Sequence, residues 1–301
     1  MRRSWGEGRQ ITKQAFGVVR ANPYMLAYPV VAAVLAVIAV LVIGFAGAAV
    51  LGFDNITDKL VHAAERDDTS AMTYVVLVIT LFVAGYCATL ITQVLMGGLV
   101  KSADEELQGR DSSFGAGLSA SFARLGALLG WAFIQTLVGW LLSAVRGNGS
   151  GNNAILAIVR LVAASLLAAA WSLITFFVLP LIILHGLGPI AAIKESTGLL
   201  KRTWGARLAG GVRIGGLVLL IGILPGIIFL VAGIIISIMG STVALGIPLI
   251  VIGAVVLVIA SILVSTLRAV FSVALLHFAQ DGTELGPFTA TELSAAVKVK
   301  S

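Results

Sequence analysis

The sequence predicts an all-α polytopic membrane protein with six transmembrane helices and a short amphipathic interfacial helix before spans 1, 3 and 5. Three observations predict it. Apolar runs of about 20 residues recur along the chain, the length that crosses a hydrocarbon core at about 1.5 Å per helical residue. No charged residue occurs from Ile214 to Leu267. The composition is 59% hydrophobic and 11% charged, with mean hydropathy +1.06, whereas a soluble domain carries about 25% charge. Backbone groups in lipid must satisfy one another, which leaves helices or closed barrels. The period-two alternation of a barrel is absent, so the runs read as helices.

The elements follow in order. Residues 1–24 form a basic cytoplasmic tail. Ile11, Ala15, Phe16 and Val19 share one helical face there, beside Arg9, Lys13 and Arg20. Span 1 covers 25–53. Its length exceeds the roughly 7–15 residues of a signal-peptide core, so an uncleaved span is expected. Span 2 covers 72–100. A second short amphipathic segment carries Phe114, Leu118, Phe122 and Arg124. Span 3 covers 125–145, with Trp131 and Trp140 placed as interfacial anchors. Span 4 covers 154–184 and contains Pro180, read as a kink. The third amphipathic segment carries Ile190, Ile193, Leu199, Leu200 and Trp204 beside Lys194, Lys201 and Arg202. Spans 5 and 6 cover 213–239 and 243–270, divided by a turn at Gly240-Ser241-Thr242. Residues 25–280 thus form one membrane domain, and 281–301 a C-terminal tail.

Orientation follows from the basic residues of the connections. Arg2, Arg3, Arg9, Lys13 and Arg20 precede span 1. Lys101, Arg110 and Arg124 lie between spans 2 and 3. Lys194, Lys201, Arg202, Arg207 and Arg213 lie between spans 4 and 5, and Lys298 and Lys300 in the tail. The opposite side holds only Lys59, Arg66 and Arg146. Both termini are therefore expected in the cytoplasm, and the protein in the cell membrane.

Function is less constrained. Arg9, Lys13, Arg20, Lys194, Lys201, Arg202 and Trp204 are candidate contacts for anionic lipid headgroups, because basic amphipathic helices suit that interface. Arg160, Pro225 and Arg268 are candidates for an intramembrane polar site. Both arginines lie near enough to an interface to snorkel, which is the competing reading. The segment Gly222-Ile223-Leu224-Pro225-Gly226 reads as a kink or a break in span 5. The pairs Gly126/Gly130, Gly211/Gly215 and Gly222/Gly226 have the spacing of close helix contacts. Thr89, Thr92, Gln93, Gln135, Thr136 and Thr175 are read as hydrogen bonding across helices. Cys87 is a lone thiol within an apolar run, read as buried.

No catalytic or metal-ligating set is visible. His185 and His277 share the cytoplasmic side without an obvious carboxylate, and His62 lies opposite. Gly149-Ser150-Gly151 sits in an external turn, far from any base. No Walker-type loop occurs, which excludes a nucleotide-driven pump. The chain is expected to be non-enzymatic and cofactor-free. Its partners are expected to be membrane lipids, with a protein partner or a second copy of itself, and no nucleic acid. A permease for a small or lipid-like solute is the alternative.

One stretch carries a resemblance. Arg124-Leu125-Gly126, Gly130-Trp131, Ala170-Trp171-Ser172 and Thr175-Phe176-Phe177-Val178-Leu179-Pro180 lead into Gly186-Leu187-Gly188-Pro189, Ala192, Lys194, Ser196 and Leu199 to Gly205; Ser4-Trp5 and Asn22-Pro23 fit as well. Together these residues resemble a prokaryotic six-span integral membrane family of unknown function. More distantly they are similar to the membrane domain attached to some glycerophosphodiester phosphodiesterases. The resemblance implies a six-span fold and a cytoplasmic-membrane address, and supplies no activity. The phosphodiesterases carry their chemistry in a separate soluble domain. His185 stands where many members of the family carry an acidic residue.

Overall fold

Helix dominates because the apolar runs lack strand alternation and a backbone in lipid must pair within its own segment. The computed structural model describes residues 13–52, 71–147, 154–204, 224–238 and 243–289. No strand occurs among them. The helices are α1 (residues 13–21), α2 (Ala27–Leu51, after a 3-10 turn at Pro23–Leu26), α3 (Ala71–Leu107), α4 (Phe114–Phe122), α5 (Leu125–Arg146), α6 (Ala154–Ile174), α7 (Val178–His185), α8 (Pro189–Trp204), α9 (Leu224–Ile238) and α10 (Val243–Asp281).

Five segments are long and apolar enough to cross a membrane: Pro23–Leu51, Ala71–Leu107, Leu125–Arg146, Ile158–His185 and Gly246–Asp281. This is the architecture of a multi-pass membrane protein. Of expected span 5, α9 is described, while 213–223 and the Gly240-Ser241-Thr242 turn lie outside the described residues.

Three segments differ from the sequence expectation, each for a physical reason. Helices α3 and α10 run past the expected ends of spans 2 and 6, to Leu107 and Asp281. At 37 residues, α3 is about 55 Å long, well over a bilayer core. Both chains turn away at a glycine of positive φ, Gly109 (72°) and Gly282 (69°), where the left-handed conformation costs glycine nothing. The expected span 4 is two helices, separated at Thr175–Phe177. Pro180 has no N–H, and its ring collides with the carbonyl four residues back. The helix therefore stops before Pro180 and restarts with it in the first turn.

The break is clamped from outside. Ser196 of α8 donates its hydroxyl to the Ile174 carbonyl at 2.5 Å and accepts the Phe177 N–H at 3.3 Å. Both are backbone groups at the interruption between α6 and α7. Ser196 is fully buried.

Burial concentrates at one end of the bundle. Leu95, Leu99, Val100 and Ala103 of α3 pack with Leu128 and Trp131 of α5, Phe177 to Ile183, and Val270 to Leu276 of α10. Phe288, past the end of α10, folds back onto this cluster. Trp131 is buried and stacks on Trp171 at 6.1 Å, so it is a core residue and not the expected interfacial anchor. It lies near the end of its span because the core itself lies there. Trp171 Nε1 donates to Gln135 at 2.7 Å, a bond across helices as expected. Thr89, Thr92, Thr136 and Thr175 instead donate to the carbonyl four residues back in their own helices. Apolar side chains toward the far end, such as Val37, Leu41 and Phe45 of α2, stand exposed, as lipid-facing residues do. Cys87 is half-buried.

Of the glycines expected at close helix contacts, Gly226 makes one, while Gly211, Gly215 and Gly222 lie outside the described residues. Gly126 faces open space and Gly130 meets the Pro189 ring, whereas α9 and α10 meet at Gly226, Gly233, Gly246 and Gly253. Helices α3 and α4 meet at Gly98 and Gly117. A Cβ on Gly98 would lie 2.6 Å from the Tyr28 ring and 3.2 Å from the α4 backbone. Gly98→Ala is expected to cost about 1–3 kcal/mol through overpacking. A thermal midpoint in detergent equal to wild type would contradict this contact.

Candidate functional site

The packed end of the bundle is also its basic end. Each of the short helices α1, α4 and α8 packs there. In α1, Ala15 and Val19 are buried while Lys13 and Arg20 are exposed. In α8, Ala192, Ser196, Leu199 and Leu200 face the bundle, and Lys194, Lys201 and Arg202 face out. This 3.6-residue periodicity lets one face dock while the other meets polar surroundings. Arg202 is tied to Glu195 at 2.7 Å; both groups are largely exposed, so the pair contributes little. Arg9 and the side chain of Trp204 lie outside the described residues.

The acidic end of α3 organises this region. Three consecutive carboxylates reach three segments between them. The Asp104 Oδ1 lies 2.8 Å from His277 Nε2 of α10 and also accepts Gln108 Nε2 at 2.7 Å. Glu105 accepts the Ser112 hydroxyl at 2.6 Å, which pins the connection to α4. Glu106 accepts the Tyr24 hydroxyl at 2.9 Å, at the entry to α2. One turn earlier, Ser102 shares a 2.8 Å hydrogen bond with Tyr28, whose hydroxyl donates to the Phe114 carbonyl at 3.0 Å. Lys101 lies 3.2 Å from Glu105 and 3.8 Å from Asp104.

A cavity of about 400 Å³ opens beside this network. Its polar lining is Lys101, Asp104, Arg124, His185 and His277. His185 and His277 thus come to one cavity, with a carboxylate on one of them that sequence reading did not place there. Lys101 and Asp104 fall just past residue 100, the expected end of span 2. The signal that α3 continues was the spacing of Lys101 with Asp104 and Glu105, which suits i,i+3 and i,i+4 pairing on one helical face. Among the described residues, no group of three or more His, Cys, Asp or Glu is arranged to hold a metal ion.

The proposed intramembrane residues are not brought together. Arg160 is exposed, and its guanidinium reaches back beside Gly147 at the far end of the bundle. Arg268 donates to the Ser172 hydroxyl at 2.8 Å, with its guanidinium 5.6 Å from the Phe176 ring centroid. Ser172 lies twelve residues along α6 from Arg160, about 18 Å in a helix. Pro225 is the second residue of α9, where a missing N–H breaks no helical bond.

A family model matches residues 71–286, and its description is a family of unknown function, DUF6159. No curated protein and no solved structure matches the chain.

Proposed function

The chain belongs to that family of unknown function, and from this premise we propose that it is a non-enzymatic protein of lipid or envelope organisation. It works by holding anionic headgroups, or a protein partner presenting similar charge, against its basic short helices. The reading places six spans in the cell membrane, with α9 as part of the fifth, and both termini in the cytoplasm. The observation that carries it is α8. Its apolar face is docked on the bundle, and Lys194, Lys201 and Arg202 are left outside. Lys13 and Arg20 of α1 add exposed charge at the same end. Each such residue near an anionic surface is worth about 1 kcal/mol.

The test is mass spectrometry of lipids retained by purified protein from nanodiscs of mixed phosphatidylcholine and phosphatidylglycerol. Converting Lys194, Lys201 and Arg202 to Glu is expected to lower phosphatidylglycerol enrichment by about tenfold or more. Equal enrichment in wild type and variant would overturn the reading. A permease is less supported, because Arg160 turns toward the far end and Arg268 is exposed and held by Ser172.

A further inference from the structure

The cavity at the basic end has the chemistry of an anion site, separate from the exposed face of α8. Its cations and imidazoles come from distant parts of the chain: Lys101 from α3, Arg124 from the α4–α5 turn, His185 from the end of α7 and His277 from α10. The one carboxylate in the lining is already engaged. Asp104 Oδ1 meets His277 and Gln108, and its Oδ2 lies 3.8 Å from both Lys101 and Arg110. Arg124 has no carboxylate partner among the described residues.

Arg124 is also held in place. Its guanidinium lies against Gly186, which ends α7 at φ 67°. A Cβ at Gly186 would sit 2.7 Å from the Arg124 Cζ, so glycine serves both the turn and the approach of the guanidinium. A planar guanidinium with free N–H groups, set at the mouth of a cavity beside two imidazoles and an ammonium, matches the oxygens of a phosphate group. The volume, about 400 Å³, exceeds what a bare phosphate fills and is of the size that takes a small ligand. Ile183 and Leu184 add apolar wall beside the polar groups.

We propose that this cavity binds a phosphate group, borne either by an anionic lipid headgroup or by a free phosphate, with Arg124 as the fork and His185, His277 and Lys101 as further donors. Asp104 is a positioning residue here: it orients the His277 ring through Nε2 and leaves Nδ1 as the other ring nitrogen.

The test uses full-length protein in two settings. In neutral detergent, inorganic phosphate is titrated calorimetrically. In nanodiscs of phosphatidylcholine with phosphatidylglycerol, tightly retained phosphatidylglycerol is counted by native mass spectrometry. Arg124→Gln is expected to weaken whichever binding occurs by about tenfold or more, and Arg124→Lys by less, because the ammonium keeps the charge and loses the fork. Phosphate binding in detergent that Arg124→Gln removes identifies a free phosphate. Retention of phosphatidylglycerol that depends on Arg124, without phosphate binding, identifies the headgroup. Arg124 and His185 are exposed, so both variants are expected to fold, which thermal unfolding checks; His185→Gln provides the second variant. Binding unchanged in both folded variants, or no binding of either probe by the wild type, overturns the proposal. The α8 charge reversal acts on bulk lipid enrichment and not on this site, so the two readings fail separately.

Discussion

Asp104→Ala is expected to destabilise the protein by about 3 kcal/mol, the low end of the range for breaking a buried charge pair. Asp104 is buried, and it joins α3 to α10 through His277 while holding Gln108 in the following turn. The low end applies because Lys101 and His277 keep partial contact with solvent. Removing the carboxylate leaves His277 and Lys101 facing each other across an empty position. Equilibrium unfolding in mild detergent measures the loss. A variant as stable as wild type would mean that α10 is held to α3 by apolar packing alone.

Ser196→Ala is expected to cost about 1–3 kcal/mol, because the buried hydroxyl that bridges the Ile174 carbonyl and the Phe177 N–H is lost. The Ile174 carbonyl and the Phe177 N–H sit at the break between α6 and α7, and the serine hydroxyl serves both. Ser196→Thr keeps the hydroxyl and separates its loss from a general intolerance of change. Thermal unfolding with proteolysis near Thr175–Phe177 reads the effect. An alanine variant that unfolds at the wild-type temperature would show that the break closes into continuous helix without the clamp.

The parts of the fold that were legible in the sequence are those governed by local period. The apolar runs gave the long helices, and the spacing of Ile190, Ile193, Leu199 and Leu200 against Lys194, Lys201 and Arg202 marked α8 as two-faced, although Ile190 is exposed and Ala192 and Ser196 are buried in its place. What escaped depends on partners far away in the chain. Asp104 and His277 are 173 residues apart, and neither carries a local mark of the other. Trp131 looked like an anchor because tryptophan favours the interface, yet stacking on Trp171 inside the core outweighed that preference. Pro180 read as a bend within one helix. The bend became a break, bridged by a hydroxyl from α8.

The uneven burial of the bundle sets where its sequence is free to drift. At the far end, residues such as Val37, Leu41, Val75 and Leu166 meet few protein atoms, so one apolar side chain serves as well as another. At the other end, Gly98, Gly117, Tyr28, Asp104 and Ser196 each answer to a specific neighbour. Related chains are thus free to diverge along the tips of their hairpins while the base stays fixed. A mutation there is tolerated for its chemistry alone; at the base it is judged by its shape.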